Sequence, residues 1–534
     1  MLQGTSSSAG KSALTAGFLR YFAHKGINCS PFKSQNMSLN SYVTGDGFEI
    51  AVSQAVQSEA AFKKPLRQIN PILIKPSSDA EMHLIVEGKH FGNMNFKDYN
   101  RRKDFFLRKA ADSFQFLLEL NDLIILEGAG SPAEINLFRY DIANMGFAEV
   151  YGIPVILIAD IERGGVFASL YGTVKLLPSK WRKLVKGFII NKFRGEFSIL
   201  EPGIRQMEKS LKIPCLGVIP HIKNLYIEAE DSLNIKIGDD GASASSPAVG
   251  GRLNIGIVRL EHIANFNEFD PLFFDGRLNV RFFDRVPSGK NAFDIIIIPG
   301  SKSTAADLSS IKNSGIFDYI KDFEKTGGFV MGICGGFQMM GKLIKDPYCL
   351  ESPVSVQASA GGGAEGMEGK KGMGGISGLG FFKAETVLLK EKILKNKKYK
   401  FNGSLLDGYE IHNGRTFFTK GCRYADILID ISEPAGNCGG NDGNGESGAC
   451  SFSSKTCVLS KDGRKIGTYV HGLFANEIFK DFIIEIAGGS VKNKQKAENG
   501  SGSYAAVKNR GFELLSDTIE NCVDINLFEK IAGI

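Results

Sequence analysis

The chain has 534 residues, 43% of them hydrophobic, with 64 basic and 58 acidic side chains for a formal net charge of +6. That length exceeds what one hydrophobic core supports, so two or three domains are expected. So small an excess of positive charge, without a basic cluster, argues against a nucleic-acid partner. No leader segment and no apolar run of membrane-spanning length is visible, which argues against a membrane partner. The nine cysteines are odd in number. Cys422, Cys438, Cys450 and Cys457 are too loosely spaced for a zinc site, so the cysteines read as reduced thiols in a cytoplasmic protein.

In chain order, the first informative stretch is Gly4-Thr-Ser-Ser-Ser-Ala-Gly10-Lys11-Ser12. It reads as a phosphate-binding loop with one residue more than the usual spacing between the first glycine and Gly-Lys-Ser. Backbone N–H groups of such a loop face phosphate oxygens, the lysine reaches the terminal phosphates and the hydroxyl after it sits on Mg²⁺. The amphipathic pattern Leu14–Phe22 predicts the helix that should follow at once. Two polar segments come next, one around Lys33 (PFKSQNMSLNS) and one around Lys75 (NPILIKP). Either lysine can stabilise anionic oxygen in phosphoryl transfer, or both belong to polar loop surface.

Near-continuous apolar runs predict buried parallel strands at Leu123–Leu126, Pro154–Ala159, Gly187–Ile190 and Leu216–Ile219. In an open parallel sheet, ligands bind just beyond the carboxyl ends of strands. Glu127, Asp160 and the pair Asn191-Lys192 each follow such a strand. Glu127 opposite the phosphate loop suits a metal ligand, and Asn191 suits a contact to a purine base.

The stretch 238–252 is poor in apolar residues and reads as a linker between a domain at 1–237 and another at 253–487. In the second, strands are predicted at Asn254–Val258, Ile295–Ile298 and Phe329–Ile333. The last runs into Gly332-Ile-Cys334-Gly335-Gly336, where small residues permit a sharp strand-to-helix turn that presents a thiol. The following helix N-terminus should lower the thiol's pKa. Pro299-Gly300-Ser301 can supply a second oxyanion donor, and His471, after a short strand, can act as the base. Gly-rich insertions near 355–378 and 433–451 read as surface loops without chemistry, and 488–534 as a flexible segment followed by a C-terminal helical tail.

Taken together, MLQGTSSSAGKS, PFKSQNMSLNS, NPILIKPSSD, LEGAGSPAEINL, ADIERGGVFAS, INKFRG, IIIIPGSKST, GICGGFQMMG, GYEIHNGRT and GTYVHGLF resemble, in order, the cobyric acid synthase family of cobalamin biosynthesis. The related a,c-diamide synthases share the architecture but look less similar at PFKSQNMSLNS and LEGAGSPAEINL. A partition-type nucleotide-switch ATPase would explain the phosphate loop but leaves Cys334 and His471 without a purpose.

The resemblance implies an α/β fold of two parallel-sheet domains. The first would be a P-loop domain similar to dethiobiotin synthetase, and the second similar to the class I glutamine amidotransferases. It also implies ATP and Mg²⁺ as cofactors, and a corrinoid and glutamine as substrates. The b, d, e and g carboxylates of adenosylcobyrinic acid a,c-diamide would become amides, with ammonia from glutamine attacking an acyl phosphate. Cys334 and His471 would be catalytic. Gly10, Lys11, Ser12 and Asn191 would bind the nucleotide, and Ser12, Glu127 and Asp46 the metal. Two departures stand out. The first strand is reduced to Met1-Leu2-Gln3, so the expectation is either a start upstream or a short central strand. The position two residues after His471, where triad-type amidotransferases carry a glutamate, is Leu473. Glu410 and His412 are the candidates for an orienting or substrate role.

Overall fold

A computed structural model describes residues 1–76, 82–228, 252–288, 292–348, 350–351, 375–419, 424–430, 456–488 and 503–534. The predicted linker at 238–252 (save Arg252) lies outside these residues. So do most of both Gly-rich insertions and of the flexible segment after 488, together with Cys422, Cys438 and Cys450. No described helix is long and apolar enough to cross a membrane.

The chain forms two compact units. One comprises Met1–Thr44, Phe48–Glu230 and Ala505–Ile534, the other Gly45–Gly47 and Asp231–Tyr504. In the first, strands Leu2–Gly4, Val155–Asp160, Val185–Phe193 and Cys215–Pro220 lie parallel in that order. A second parallel pair, Cys29–Phe32 with Leu123–Leu126, joins them through a bridge between Leu2 and Glu127. The apolar runs fill both faces, as parallel strands require. Val155, Leu157, Phe188 and Ile190 enter one core, while Ile156, Ile158 and Ile189 enter the other. The first strand is three residues long, all buried.

The helix after the phosphate loop spans Lys11–His24, longer at both ends than its apolar pattern predicts. A smaller sheet orders Gln35–Met37, Ile72–Pro76, Met82–Val86 and Lys89–Met94. Lys33 and Lys75 are therefore not loop surface: both are buried. Each is held by a buried carboxylate, Glu127 at 2.9 Å and Glu49 at 2.7 Å respectively.

The helical tail is an integral layer of the first unit, which local sequence pattern does not reveal. Helices Tyr504–Cys522 and Ile525–Ala532 bring Ile519, Val523 and Phe528 into the core that holds Phe18 and Phe22. The Phe528 ring stacks on Phe18 at 4.4 Å. Between the helices, Val523 bridges Gly217 and the Asp524 N–H donates to the Leu216 carbonyl at 2.7 Å, covering the edge of strand Cys215–Pro220.

The second unit holds a seven-stranded sheet in the order Leu278–Phe283, Leu253–Val258, Ile295–Ile298, Phe329–Ile333, Lys465–Thr468, Cys457–Ser460 and Tyr424–Asp426. The first five strands are parallel and the last two are antiparallel additions. A second sheet pairs the long hairpin Ala384–Phe401 and Ser404–Phe418, and ends on the two-residue strand Val470–His471.

Phe528→Ala should destabilise the first unit by about 3–5 kcal/mol, as expected for truncating a buried aromatic side chain. The single tryptophan, Trp181, is buried in that unit, so urea unfolding followed by its fluorescence reads the change directly. An unchanged midpoint would show that the tail is not part of the core.

Candidate active sites

The phosphate loop leaves strand Leu2–Gly4 and turns into helix Lys11–His24 through Gly10, whose φ of +98° lies in the left-handed region. A side chain there would also run into the Asn191 amide. The loop is braced from several sides. The Thr5 N–H donates to the Ile158 carbonyl at 2.9 Å. The Asn191 amide donates to the Ala9 carbonyl at 2.9 Å, and Lys192 Nζ donates to the Ser8 carbonyl at 2.9 Å and to Asp160 at 2.8 Å. The Lys11 ammonium curls back over the loop to the carbonyls of Ser6 and Gly130, at 3.2 and 3.1 Å. Asn191 is buried and bound to the loop backbone, with its Oδ1 accepting the Lys192 N–H.

Glu127 stands beside the loop because the strand before it pairs with Cys29–Phe32. Its own N–H donates to the Phe32 carbonyl, and the Gly128 N–H to the Leu2 carbonyl, both at 2.9 Å. Its carboxylate, only 1% exposed, is surrounded by donors. The Ser12 hydroxyl and the Lys33 ammonium reach Oε1 at 2.8 and 2.9 Å, and the Gln57 amide reaches Oε2 at 2.6 Å. Ser12 and Glu127 thus meet, and Lys33 and Gln57 complete the group. Asp46 lies in the exposed turn between strands Ser41–Val43 and Glu49–Ala51, and none of the hydrogen bonds described around Glu127 involves it.

In the second unit, strand Phe329–Ile333 ends at Cys334, whose φ of +52° and ψ of −106° are strained for a residue with a side chain. The helix after it, Gly335–Met340, is a short one. The turn closes only because Gly336 lacks a Cβ, which would overlap the Ile298 carbonyl. His471 reaches the same place from strand Val470–His471. A methyl group added to Gly300 would touch the His471 Cε1 at 3.3 Å and the Cys334 Cβ at 3.8 Å. Cys334, His471 and the loop after strand Ile295–Ile298 therefore converge on one point. Cys334 Sγ faces the Ile411 carbonyl at 3.7 Å.

His471 is buried, and its Nδ1 donates to Glu268 Oε1 at 2.9 Å. Its Nε2 has no hydrogen-bond partner among the described residues. Burial disfavours a charged ring, but the Glu268 carboxylate and the adjacent Cys334 outweigh it and push the His471 pKa up to about 10. Sequence reading misses Glu268, which sits in the segment Asn265-Phe-Asn-Glu-Phe269 without a recognisable motif. Glu410 and His412 do not take that place. They pair with each other at 3.0 Å, the Tyr399 hydroxyl donates to Glu410 at 2.9 Å, and the His412 ring stacks on Tyr469 at 3.8 Å. Burial lowers the His412 pKa against the opposing pull of Glu410.

Gly10→Ala should abolish nucleotide binding, because its Cβ combines a strained φ with a collision against Asn191. Isothermal titration with ATP, alongside an unchanged circular dichroism spectrum, checks this. Retained affinity would mean that the loop does not hold phosphate in this conformation.

Comparison with known proteins follows the same division. Residues 1–235 match the CobQ/CobB/MinD/ParA nucleotide binding domain, and residues 254–479 match the CobB/CobQ-like glutamine amidotransferase domain. The cobyric acid synthase of Caldanaerobacter subterraneus subsp. tengcongensis is 37% identical over 99% of this chain and 98% of its own length. The probable cobyric acid synthase of Methanocaldococcus jannaschii is 38% identical over 98% of both chains, and the cobyric acid synthase of Clostridium novyi is 38% identical over the whole chain and 97% of its own. With both domains matched and full-length relatives well above 30% identity, the chain belongs to the cobyric acid synthase family.

Proposed function

We propose that this chain is a glutamine-hydrolysing carbon–nitrogen ligase that amidates the b, d, e and g carboxylates of adenosylcobyrinic acid a,c-diamide at the expense of ATP. The observation that carries the reading is the presence of two distinct reaction centres on one chain. One is a phosphate loop with a buried acid, hydroxyl and ammonium beside it. The other is a thiol on a strained turn against a histidine.

In the first unit, Lys11 and the loop N–H groups bind the ATP phosphates. Lys33, which Glu127 holds beside the loop, would neutralise charge as a corrinoid carboxylate oxygen attacks the γ-phosphorus. The products are an acyl phosphate and ADP. Ammonia then attacks the acyl carbon, loses a proton and expels phosphate, leaving the amide. Asn191 is the proposed adenine contact; its amide keeps a second N–H and its Oδ1 a second lone pair beyond those already used on the loop. Ser12 and Glu127, hard oxygen donors that already meet, would be the residues to hold Mg²⁺, and Glu127 already attracts the positive charge of Lys33. When bound, the Mg²⁺ would offset phosphate charge. Asp46 remains a proposed further ligand on the strength of its place after the KSQN motif.

In the second unit, Cys334 Sγ attacks the carboxamide carbon of glutamine. His471 takes the thiol proton on Nε2 and returns it to the departing nitrogen, so that ammonia leaves and a glutamyl thioester forms. Water then hydrolyses the thioester to glutamate, with the same ring moving its proton. N–H groups of the Cys334 turn and of the Gly300 loop would hold the oxyanion.

Incubation with adenosylcobyrinic acid a,c-diamide, ATP, Mg²⁺ and glutamine should produce four successive mass decreases of about one dalton each, the change from hydroxyl to amine. Folded protein that yields none would overturn the reading, and turnover of cobyrinic acid instead would make this chain an a,c-diamide synthase. Cys334→Ser should lose all use of glutamine yet retain synthesis from ammonium salts. Lys33→Met should lose synthesis from either nitrogen source by roughly 100-fold or more while glutaminase activity persists.

A further inference from the structure

We propose that Glu268 is the positioning residue of the glutamine site. It fixes the His471 ring and holds its charge from a segment 203 residues away in sequence, in place of an acid two residues after the histidine. The inference rests on the reading of Cys334 and His471 as the glutaminase pair.

Both partners are withdrawn from water: the side chains of His471 and Glu268 are 1% and 2% exposed. A carboxylate buried to that degree is costly unless it is paired. Among the described residues, the one side-chain group that hydrogen-bonds it is His471 Nδ1. An ionised carboxylate only accepts, so Nδ1 keeps a proton in either charge state of the ring, and Nε2 is the nitrogen left to exchange a proton with the adjacent Cys334. That is the arrangement in which the thiol proton can pass to the ring and leave a thiolate beside an imidazolium. Leu473, where an acid would be sought from sequence, is buried and apolar.

The groups that meet the ring come from three other elements. Glu268 lies on the 3₁₀ turn Phe266–Phe269, Cys334 is at the strand–helix elbow, and Tyr409 of strand Ser404–Phe418 stacks its ring on His471 at 5.2 Å. Glu268 is thus the one carboxylate among them.

The segment bearing Glu268 is also laced to the loop that touches both catalytic side chains. The Ala264 N–H donates to the Gly300 carbonyl at 3.0 Å, the Lys302 N–H to the His262 carbonyl at 2.9 Å, and Ile263 bridges Ser301. Ring orientation and the Gly300 backbone are therefore set by one braced piece of chain.

The sign of the charge effect is fixed. A carboxylate in contact raises the pKa of an imidazolium, and its removal lowers it. Glu268→Gln keeps an oxygen that can accept from Nδ1 but removes the charge. The rate of Cys334 alkylation by iodoacetamide, followed by peptide mass across pH, reads the thiolate–imidazolium pair without any turnover. Its upper limb should move to lower pH by about one unit or more, while kcat for glutamine hydrolysis falls by about 100-fold or more and KM changes less than about 3-fold. Glu268→Asp, which keeps the charge one methylene short, should recover part of the alkylation profile. Near-UV circular dichroism establishes that each variant is folded.

An unchanged alkylation profile with kcat within about 3-fold of the parent would overturn the assignment of Glu268. Normal glutamine hydrolysis by Cys334→Ser would instead overturn the underlying reading of the site, so the two failures are separable.

Discussion

The carboxylate of Glu127 is the constraint on which the first unit turns. An ion buried that deeply carries a desolvation penalty of several kcal/mol, and here the penalty is met by groups drawn from separate parts of the chain. Ser12 comes from the end of the phosphate loop, Lys33 from the segment after strand Cys29–Phe32, and Gln57 from helix Val52–Ala60. None of them can leave without stranding charge in a dry interior. The acid therefore holds the loop, the lysine and the sheet edge in register before any ligand arrives. Such prior placement lets electrostatic stabilisation act without reorganisation during the reaction.

The second unit uses the same device for a different purpose. There the buried acid is Glu268, and what it holds is one ring rather than a cluster. Around it Cys334 is held in a conformation that ordinary residues avoid, at φ +52° and ψ −106°, while Asn265, at the start of the turn that carries Glu268, takes the left-handed conformation at φ +55° that asparagine tolerates. Strain like that at Cys334 persists only where the surroundings over-determine it. Here the surroundings are the Gly336 approach to Ile298 and the hydrogen bonds lacing 262–264 to 300–302.

Much of this architecture is legible in the residues. The parallel strands announce themselves as apolar runs, because a strand covered on both faces has no polar side to display. The phosphate loop, Glu127, Cys334 and His471 can be read because their chemistry demands particular residues at fixed distances from strand ends. What could not be read are the pairings between distant segments. Lys33 and Lys75 can be read either as facing anionic oxygen or as loop surface, because nothing local tells of the carboxylates that bury them. Glu268 sits among asparagines and phenylalanines with no spacing rule linking it to His471. Glu410 and His412 attract notice by their motif, yet they satisfy each other. The tail helices show amphipathic pattern without any indication of which core they complete.

That last feature reaches beyond the folded state. Phe528 and Val523 fill a core whose other members include Leu2, Phe18 and Ile156, so the nucleotide unit is assembled from both sides of the second unit's sequence. A ribosome delivers the phosphate loop before the thiol-bearing unit and the packing partners Val523 and Phe528 after it. In the usual order an N-terminal domain folds while the rest is still being made; here the core of the first unit cannot be completed that early. The unit that carries the phosphate loop therefore reaches its final packing only after the chain of the second unit has been made, and until then Phe18 and Phe22 lack Ile519, Val523 and Phe528 as neighbours.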